Sequence, residues 1–263
     1  MPSAFPYRAV LFDLDGTLYR GSEPIPGAID TVQRLLDRNV LVRYVTNNAT
    51  LTREAFGAKL RGMGFPALAE EVYSSATGTA AYLASSGVRS AFVVGMPGLI
   101  ATLRGAGIEV VNAGDDGVVQ PTGDPADAVV VGLCRTLSYE LLDGAMNAIL
   151  RGARFVATNP DATFPLEGGR FSPGAGSIVA AVRTCSGVEP FVVGKPKPFL
   201  IETILRDADL QPDEALVVGD REDTDLAAGR AAGCPTYLVL SGVEKTLPRG
   251  QMGAPDVRGL LGL

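Results

Sequence analysis

Ala9-Val10-Leu11-Phe12-Asp13-Leu14-Asp15-Gly16-Thr17 is an apolar run that stops on two acids, with a glycine behind them. Four consecutive apolar residues leave no side for water, the pattern of a strand buried on both faces rather than one alternating between core and solvent. Side chains alternate across a strand, so Asp13 and Asp15 point the same way from its end and set two carboxylates against one site. Asp15-Gly16 is also ordinary turn chemistry, and an isolated Asp-x-Asp carries little weight. The surrounding sequence decides between the two.

Similar short, β-branched runs follow at 41–45, 91–94, 108–111, 128–131, 155–157, 191–193, 215–218 and 236–240. Between most of them lie helix-length segments with a 3.6-type apolar pattern, at 28–37, 52–63, 139–150, 199–207 and 223–232. This alternation predicts parallel sheets built from βαβ units, and hence a doubly wound, Rossmann-like α/β core. Stop signals stand where that pattern needs them, at Gly64, at Gly105 and Gly107, and at Gly233 before Pro235. A sheet of this kind binds ligands at the carboxyl ends of its strands. Four polar endings occur there: Asp13-Leu14-Asp15, Thr46-Asn47-Asn48, Gly194-Lys195-Pro196 and Gly219-Asp220.

Composition narrows the chemistry. The 263 residues make between one and two domains at the usual ~150 per domain. Lys and Arg total 23 against 29 Asp and Glu, a net charge of −6. No overall positive field exists to hold a nucleic acid or an anionic membrane, and neither is expected as a partner. Histidine is absent, which excludes Ser-His and Cys-His catalysis, His bases and His metal ligands together. Carboxylates, lysine, hydroxyls or a hard metal remain. Cys134, Cys185 and Cys234 stand far apart without metal-site spacing, and read as small hydrophobes in a reducing cytoplasm. Residues 1–8 carry no basic-then-apolar signal, and no apolar run reaches the ~20 residues that span a bilayer. A cytoplasmic location is expected.

The octet Phe12-Asp13-Leu14-Asp15-Gly16-Thr17-Leu18-Tyr19 resembles the first motif of the haloacid dehalogenase-like hydrolases, most of which are phosphatases. Val45 to Asn48 resembles their second motif, Val193 to Pro196 the third, and Val218 to Asp225 the fourth, in family order. Tyr19-Arg20-Gly21, Ile25 to Ala28, Thr158 to Asp161, Pro173 to Ser177 and Leu240 to Val243 are similar to the NagD-like subgroup. That subgroup carries an α/β cap between the second and third motifs, and here Asn48 and Lys195 are far enough apart to hold one. Structureless loops beyond ~15 residues are uncommon, so a smaller inserted α/β cap is expected at 81–188, with the core at 1–80 and 189–263.

The resemblance implies a Mg²⁺-dependent phosphomonoester hydrolase working through an aspartyl-phosphate. Asp13 would be the nucleophile, and Asp15 would protonate the leaving oxygen and then deprotonate the attacking water. Thr46, Asn47 and Lys195 would hold the phosphoryl group. Mg²⁺ would be bound by the Asp13 side chain, the Asp15 backbone carbonyl and Asp220, with Asp225 acting directly or through water. Asp223 reads instead as a carboxylate at a helix N-terminus. Substrate choice would rest with Asn159, Asp161 and Phe164 of the cap loop and with Asn48 from the core side. Relatives acting on pyridoxal phosphate often carry His where this chain has Phe164, which favours an apolar or stacking contact to a sugar, base or aryl group. The expected substrates are small phosphorylated metabolites, nucleotides or sugar phosphates, and p-nitrophenyl phosphate. The alternatives are phosphotransferase or mutase chemistry on the same aspartyl-phosphate, or a non-catalytic ligand-binding protein. The usual mark of the last, loss of a catalytic aspartate or the lysine, is missing here. Relatives also form homodimers through the cap, which the resemblance admits.

Overall fold

The computed structural model describes residues 5–165 and 170–263. The chain forms two compact units, one of Met1–Thr46, Glu54–Tyr73 and Lys195–Leu263, the other of Asn47–Arg53 and Ser74–Gly194.

The first unit is built on a six-stranded sheet. In spatial order its strands are Gly253–Ala254, Thr236–Val239, Ala215–Gly219, Ala9–Asp13, Leu41–Thr46 and Val72–Ser74. Numbered along the chain this is 6-5-4-1-2-3, the doubly wound order, and the direction of winding reverses between Ala9–Asp13 and Ala215–Gly219. These two strands run parallel, with Phe12 paired to Val218, while on the other side Asp13 pairs with Val45. Ala9 to Phe12 are all fully buried, which is what the uninterrupted apolar run demands of a central strand covered on both faces. One cover is the helix Phe199–Asp207, whose Leu200, Ile201, Ile204 and Leu205 pack on Ala9, Leu11, Ala215 and Val217. After the first strand the chain makes a small hairpin, Tyr19–Arg20 against Glu23–Pro24.

The second unit carries its own five-stranded parallel sheet, in the order Phe191–Val192, Arg154–Ala157, Ala128–Val131, Ser90–Val94, Glu109–Val110. A short antiparallel pair, Thr163–Pro165 with Phe171–Pro173, sets Phe164 opposite Ser172. The chain passes between units at 46/47, 53/54, 73/74 and 194/195; the sequence suggested 80/81 and 188/189. A changeover at 80 would cut the helix Ser75–Ser85, which begins directly after Ser74, whose hydroxyl accepts the Thr77 N–H. At the far end, Phe191–Val192 pairs with Arg154–Ala157 and so keeps the segment before Lys195 with the inserted sheet.

A second difference lies at 223–232, expected as one helix. The regular helix covers only Ala227–Ala231. Before it, the Arg221 carbonyl accepts from both the Asp225 N–H at 3.1 Å and the Leu226 N–H at 3.2 Å, a turn one residue wider than an α-turn. Among the described residues no helix is long and apolar enough to cross a membrane.

Candidate active site

Three carboxylates and one ammonium meet where the winding of the sheet reverses. Asp13 closes its strand, Asp220 follows Gly219 at the end of the neighbouring strand, and Asp225 is brought back by the wide turn. Lys195 Nζ donates to Asp13 Oδ1 at 2.5 Å and to Asp225 Oδ1 at 2.6 Å. The side chains of Lys195, Asp225 and Asp13 are 4%, 3% and 11% exposed. Charges so far from water persist only when paired, because stranding one costs several kcal/mol.

Two further oxygens are also held. Asp225 Oδ2 accepts the Arg221 N–H at 3.1 Å, and Asp220 Oδ2 accepts the Val243 N–H at 2.6 Å. Two glycines make this approach sterically feasible. A Cβ on Gly219 would stand 2.2 Å from the Asp225 Cβ, and one on Gly242 would stand 1.8 Å from Asp220 Oδ2. The Ser241 hydroxyl donates to the Gly16 carbonyl at 2.7 Å and Arg20 Nε to the Ser241 carbonyl at 2.9 Å, tying the loop after the first strand to the loop over Asp220.

The cluster carries more negative than positive charge. Burial, then the neighbouring Asp225 and Asp220, push the Asp13 carboxyl well above its ordinary range against the pull of Lys195. Burial and then Asp225 push Asp220 up to about 7, opposed by the Val243 N–H and Lys195. Burial works against the Lys195 ammonium, but Asp13 and Asp225 outweigh it and raise its pKa. Asp13, Asp220 and Asp225 each place a carboxylate oxygen within 4.8 Å of the others. Hard oxygen donors with charge to spare fit a hard divalent cation.

That excess has a measurable sign. Asp220 binds its proton near pH 7 in the fold and near 3.8 ordinarily, so between those values the folded chain holds more protons and stability falls as pH rises. The melting temperature in chelator should therefore drop between about pH 4 and about pH 7, and added Mg²⁺ should raise it most at the upper end. A flat profile in both conditions would count against the uncompensated charge.

Asp15 stands apart from this cluster and is exposed. Its backbone bridges to Tyr19, the Gly16 N–H donates to the Tyr19 carbonyl at 2.8 Å, and the Gly21 N–H donates to its carboxylate. Partial desolvation by the surrounding loop raises the Asp15 pKa, with Lys59 and the Gly21 N–H pulling the other way. Lys59 carries no motif signature, and its proximity follows from the tertiary fold alone. Thr46 is buried at the end of the strand beside Asp13, one residue beyond the Val45 that pairs with it. Asp223 forms a two-pronged pair with Arg221, at 3.0 and 2.8 Å, on the surface.

A second group gathers around Asn47 in the other unit. Its amide donates to Asp161 Oδ2 at 3.0 Å, and its carbonyl accepts from Asn159 Nδ2 at 2.7 Å and from Ser75 Oγ at 2.5 Å. Asn159 Oδ1 in turn accepts the Asp161 N–H at 3.1 Å. Asn48 is exposed and caps the next turn, accepting from the Thr50 N–H and hydroxyl, and Phe164 is half-buried in its hairpin. Ser75 was missed by sequence reasoning because a serine after a three-residue strand carries no distinctive spacing.

A family model described as haloacid dehalogenase-like hydrolase matches residues 10–109, and a second, HAD-hydrolase-like, matches 192–257. The dihydroxyacetone phosphatase of Corynebacterium glutamicum is 38% identical over 235 residues, covering 89% of this chain and 81% of that protein. The chain belongs to the haloacid dehalogenase-like hydrolases. Among solved structures of similar hydrolases, a p-nitrophenyl phosphatase from Archaeoglobus fulgidus superposes with a TM-score of 0.87 at 32% identity, over 97% of this chain and 98% of that one. NagD from E. coli K-12 gives 0.82 at 31% identity, over 95% and 97%. A glycerol phosphate phosphatase from Mycobacterium tuberculosis, solved in complex with magnesium, gives 0.83 at 36%, over 97% and 77%. This haloacid dehalogenase-like hydrolase is of the NagD-like subgroup, and it is a phosphatase.

Proposed function

We propose that the chain hydrolyses phosphomonoesters of small metabolites, with Mg²⁺, through an aspartyl-phosphate on Asp13. The observation that carries this is the Lys195 ammonium bridging Asp13 and Asp225 at the carboxyl end of the central strand, with Asp220 beside them.

A phosphate monoester repels nucleophiles by its own charge, so the site must neutralise and align it. An Asp13 carboxylate oxygen attacks phosphorus as the ester oxygen departs, and Asp15 gives that oxygen its proton. A water then attacks the same phosphorus and passes a proton to Asp15, so that inorganic phosphate leaves and Asp13 returns as carboxylate. Lys195 fixes the attacking carboxylate and offers its charge to the phosphoryl oxygens. Thr46 supplies a hydroxyl donor from the adjacent strand end, and Asn47, next in the chain, supplies a further donor. Asp13, the Asp15 backbone carbonyl and Asp220 would hold Mg²⁺, with Asp225 adding charge behind them. When bound, Mg²⁺ would shield the negative charge of the phosphoryl oxygens and of the clustered carboxylates. The magnesium in the M. tuberculosis relative supports that assignment.

The proposed substrates are small, in keeping with the triose and glycerol phosphates named for the relatives. Phe164, with Asn48, Asn159 and Asp161, is the proposed seat of selection among them. Phe164→Ala should change the ranking of a substrate panel by about tenfold, roughly the worth of one apolar contact. Equal losses on every substrate would make Phe164 a packing residue of its hairpin.

The reaction is tested by phosphate release from a metabolite panel with Mg²⁺ and with EDTA, and by acid-quenched mass spectrometry. The expected result is metal-dependent release and a phosphoryl adduct on the peptide containing Asp13. Release that ignores EDTA, or an adduct elsewhere, would overturn the mechanism. A new phosphate ester formed in preference to free phosphate would reassign it to phosphotransfer.

A further inference from the structure

Lys59 is a cation that this mechanism leaves unused. It stands on the helix Arg53–Gly62 and is half-buried. Among the described residues its ammonium has neither a carboxylate within 4.0 Å nor a hydrogen-bond acceptor. Burial costs this ammonium hydration and lowers its pKa. Its close neighbour is instead an aromatic face, with Nζ 4.1 Å from the centroid of the buried Tyr19 ring.

Tyr19 belongs to the loop that presents Asp15. The backbones of the two residues bridge, and the Tyr19 carbonyl holds the Gly16 N–H at 2.8 Å. Lys59 is thus seated against this loop, on the ring of the residue whose backbone bridges to Asp15, and near enough to Asp15 for the two charges to interact. Other nearby cations are committed elsewhere. Lys195 serves Asp13 and Asp225, and Arg20 is turned to the Ser241 carbonyl. The two acids of the Asp13-x-Asp15 pair are therefore attended by different lysines.

The geometry points to Lys59 as a positioning residue for Asp15: seated on the Tyr19 ring, its ammonium fixes where the exposed Asp15 carboxyl stands when it meets the leaving oxygen. This rests on the reading of Asp15 as the acid and base. An acid on an open loop must be brought within about 2.6–3.2 Å of the atom it protonates, and an electrostatic tether from a neighbouring helix does so without occupying the site. Lys59 itself touches no reacting atom.

The test compares kcat/KM for two leaving groups, because that ratio reports the steps through departure of the leaving group. p-Nitrophenolate departs without a proton, whereas an alkoxide needs one. The variants are Lys59→Met, Lys59→Arg and Asp15→Asn, assayed with Mg²⁺ on p-nitrophenyl phosphate and on the alkyl phosphate that turns over best in the panel. Lys59→Met should lower kcat/KM on the alkyl ester by about 10–100-fold, part of the range for a general acid, and on the aryl ester by less than about threefold. Lys59→Arg, which keeps the charge, should restore most of the loss. Equal losses on both esters, no loss on either, or no rescue by arginine would overturn the proposal. Asp15→Asn separates the two claims. If it too spares the aryl ester, only the role of Lys59 is at stake in the Lys59 variants. If it shows no such selectivity, the acid–base reading of Asp15 fails and this proposal with it.

Discussion

Asp13→Asn is expected to lower kcat by at least about 10⁴-fold at saturating Mg²⁺, since a carboxamide is not a competent nucleophile for phosphorus. The same variant should remain folded, and this separates lost chemistry from lost structure. Asn keeps an oxygen to accept from Lys195 Nζ, while the crowded group of Asp13, Asp220 and Asp225 loses one negative charge. In chelator near neutral pH, the melting temperature should equal or exceed that of the parent. Measurable phosphate release by a folded Asp13→Asn protein would remove Asp13 from the centre of the mechanism.

Lys195→Met should be the most damaging single change to stability, and it should slow the reaction as well. It removes the partner of two buried carboxylates and leaves Asp13 and Asp225 facing each other. Breaking a buried pair in this way typically costs about 3–5 kcal/mol, readable as a lower urea midpoint with an unchanged slope. Turnover should fall by about 10³-fold, in line with loss of a preorganised charge at the transferring group. The stability loss should be smaller at acid pH, where the Asp13 carboxyl, pushed well above its ordinary range by burial, takes up a proton, and smaller again with Mg²⁺ present. A variant as stable as the parent at every pH would mean that the carboxylates do not depend on Lys195 for charge balance.

The central strand was legible because a doubly wound sheet leaves it no solvent face, and Ala9 to Phe12 read as unbroken apolar sequence. The same rule placed Thr46 and Asp220 at or just beyond strand ends of this sheet, where polar residues follow apolar runs, whereas Lys195 follows Phe191–Val192, a partly exposed strand of the other unit's sheet. Asp225 was identified by motif, yet its route into the cluster was not, because the acids of Glu222–Leu226 read as the N-terminus of a regular helix and no local pattern marks the wider turn. Val72–Ser74 is too short to show a period. The helix Ser75–Ser85 is rich in Ser, Thr, Ala and Gly and buries residues around much of its surface, so it lacks the polar face by which helices are found. Partners such as Lys59 for Tyr19, or Ser75 for Asn47, are tertiary facts that no local pattern encodes.

The interrupted layout of the first unit also dictates an order of events on the ribosome. Ala9–Asp13 leaves the ribosome about two hundred residues ahead of its neighbour Ala215–Gly219. Most of the second unit, 74–194, is continuous and can close on itself in the meantime. Throughout that interval one edge of this buried strand lacks its pairing partner, the condition in which nascent chains aggregate or recruit chaperones. The cluster of Asp13, Asp220 and Asp225 can thereby assemble only after the inserted unit has been made.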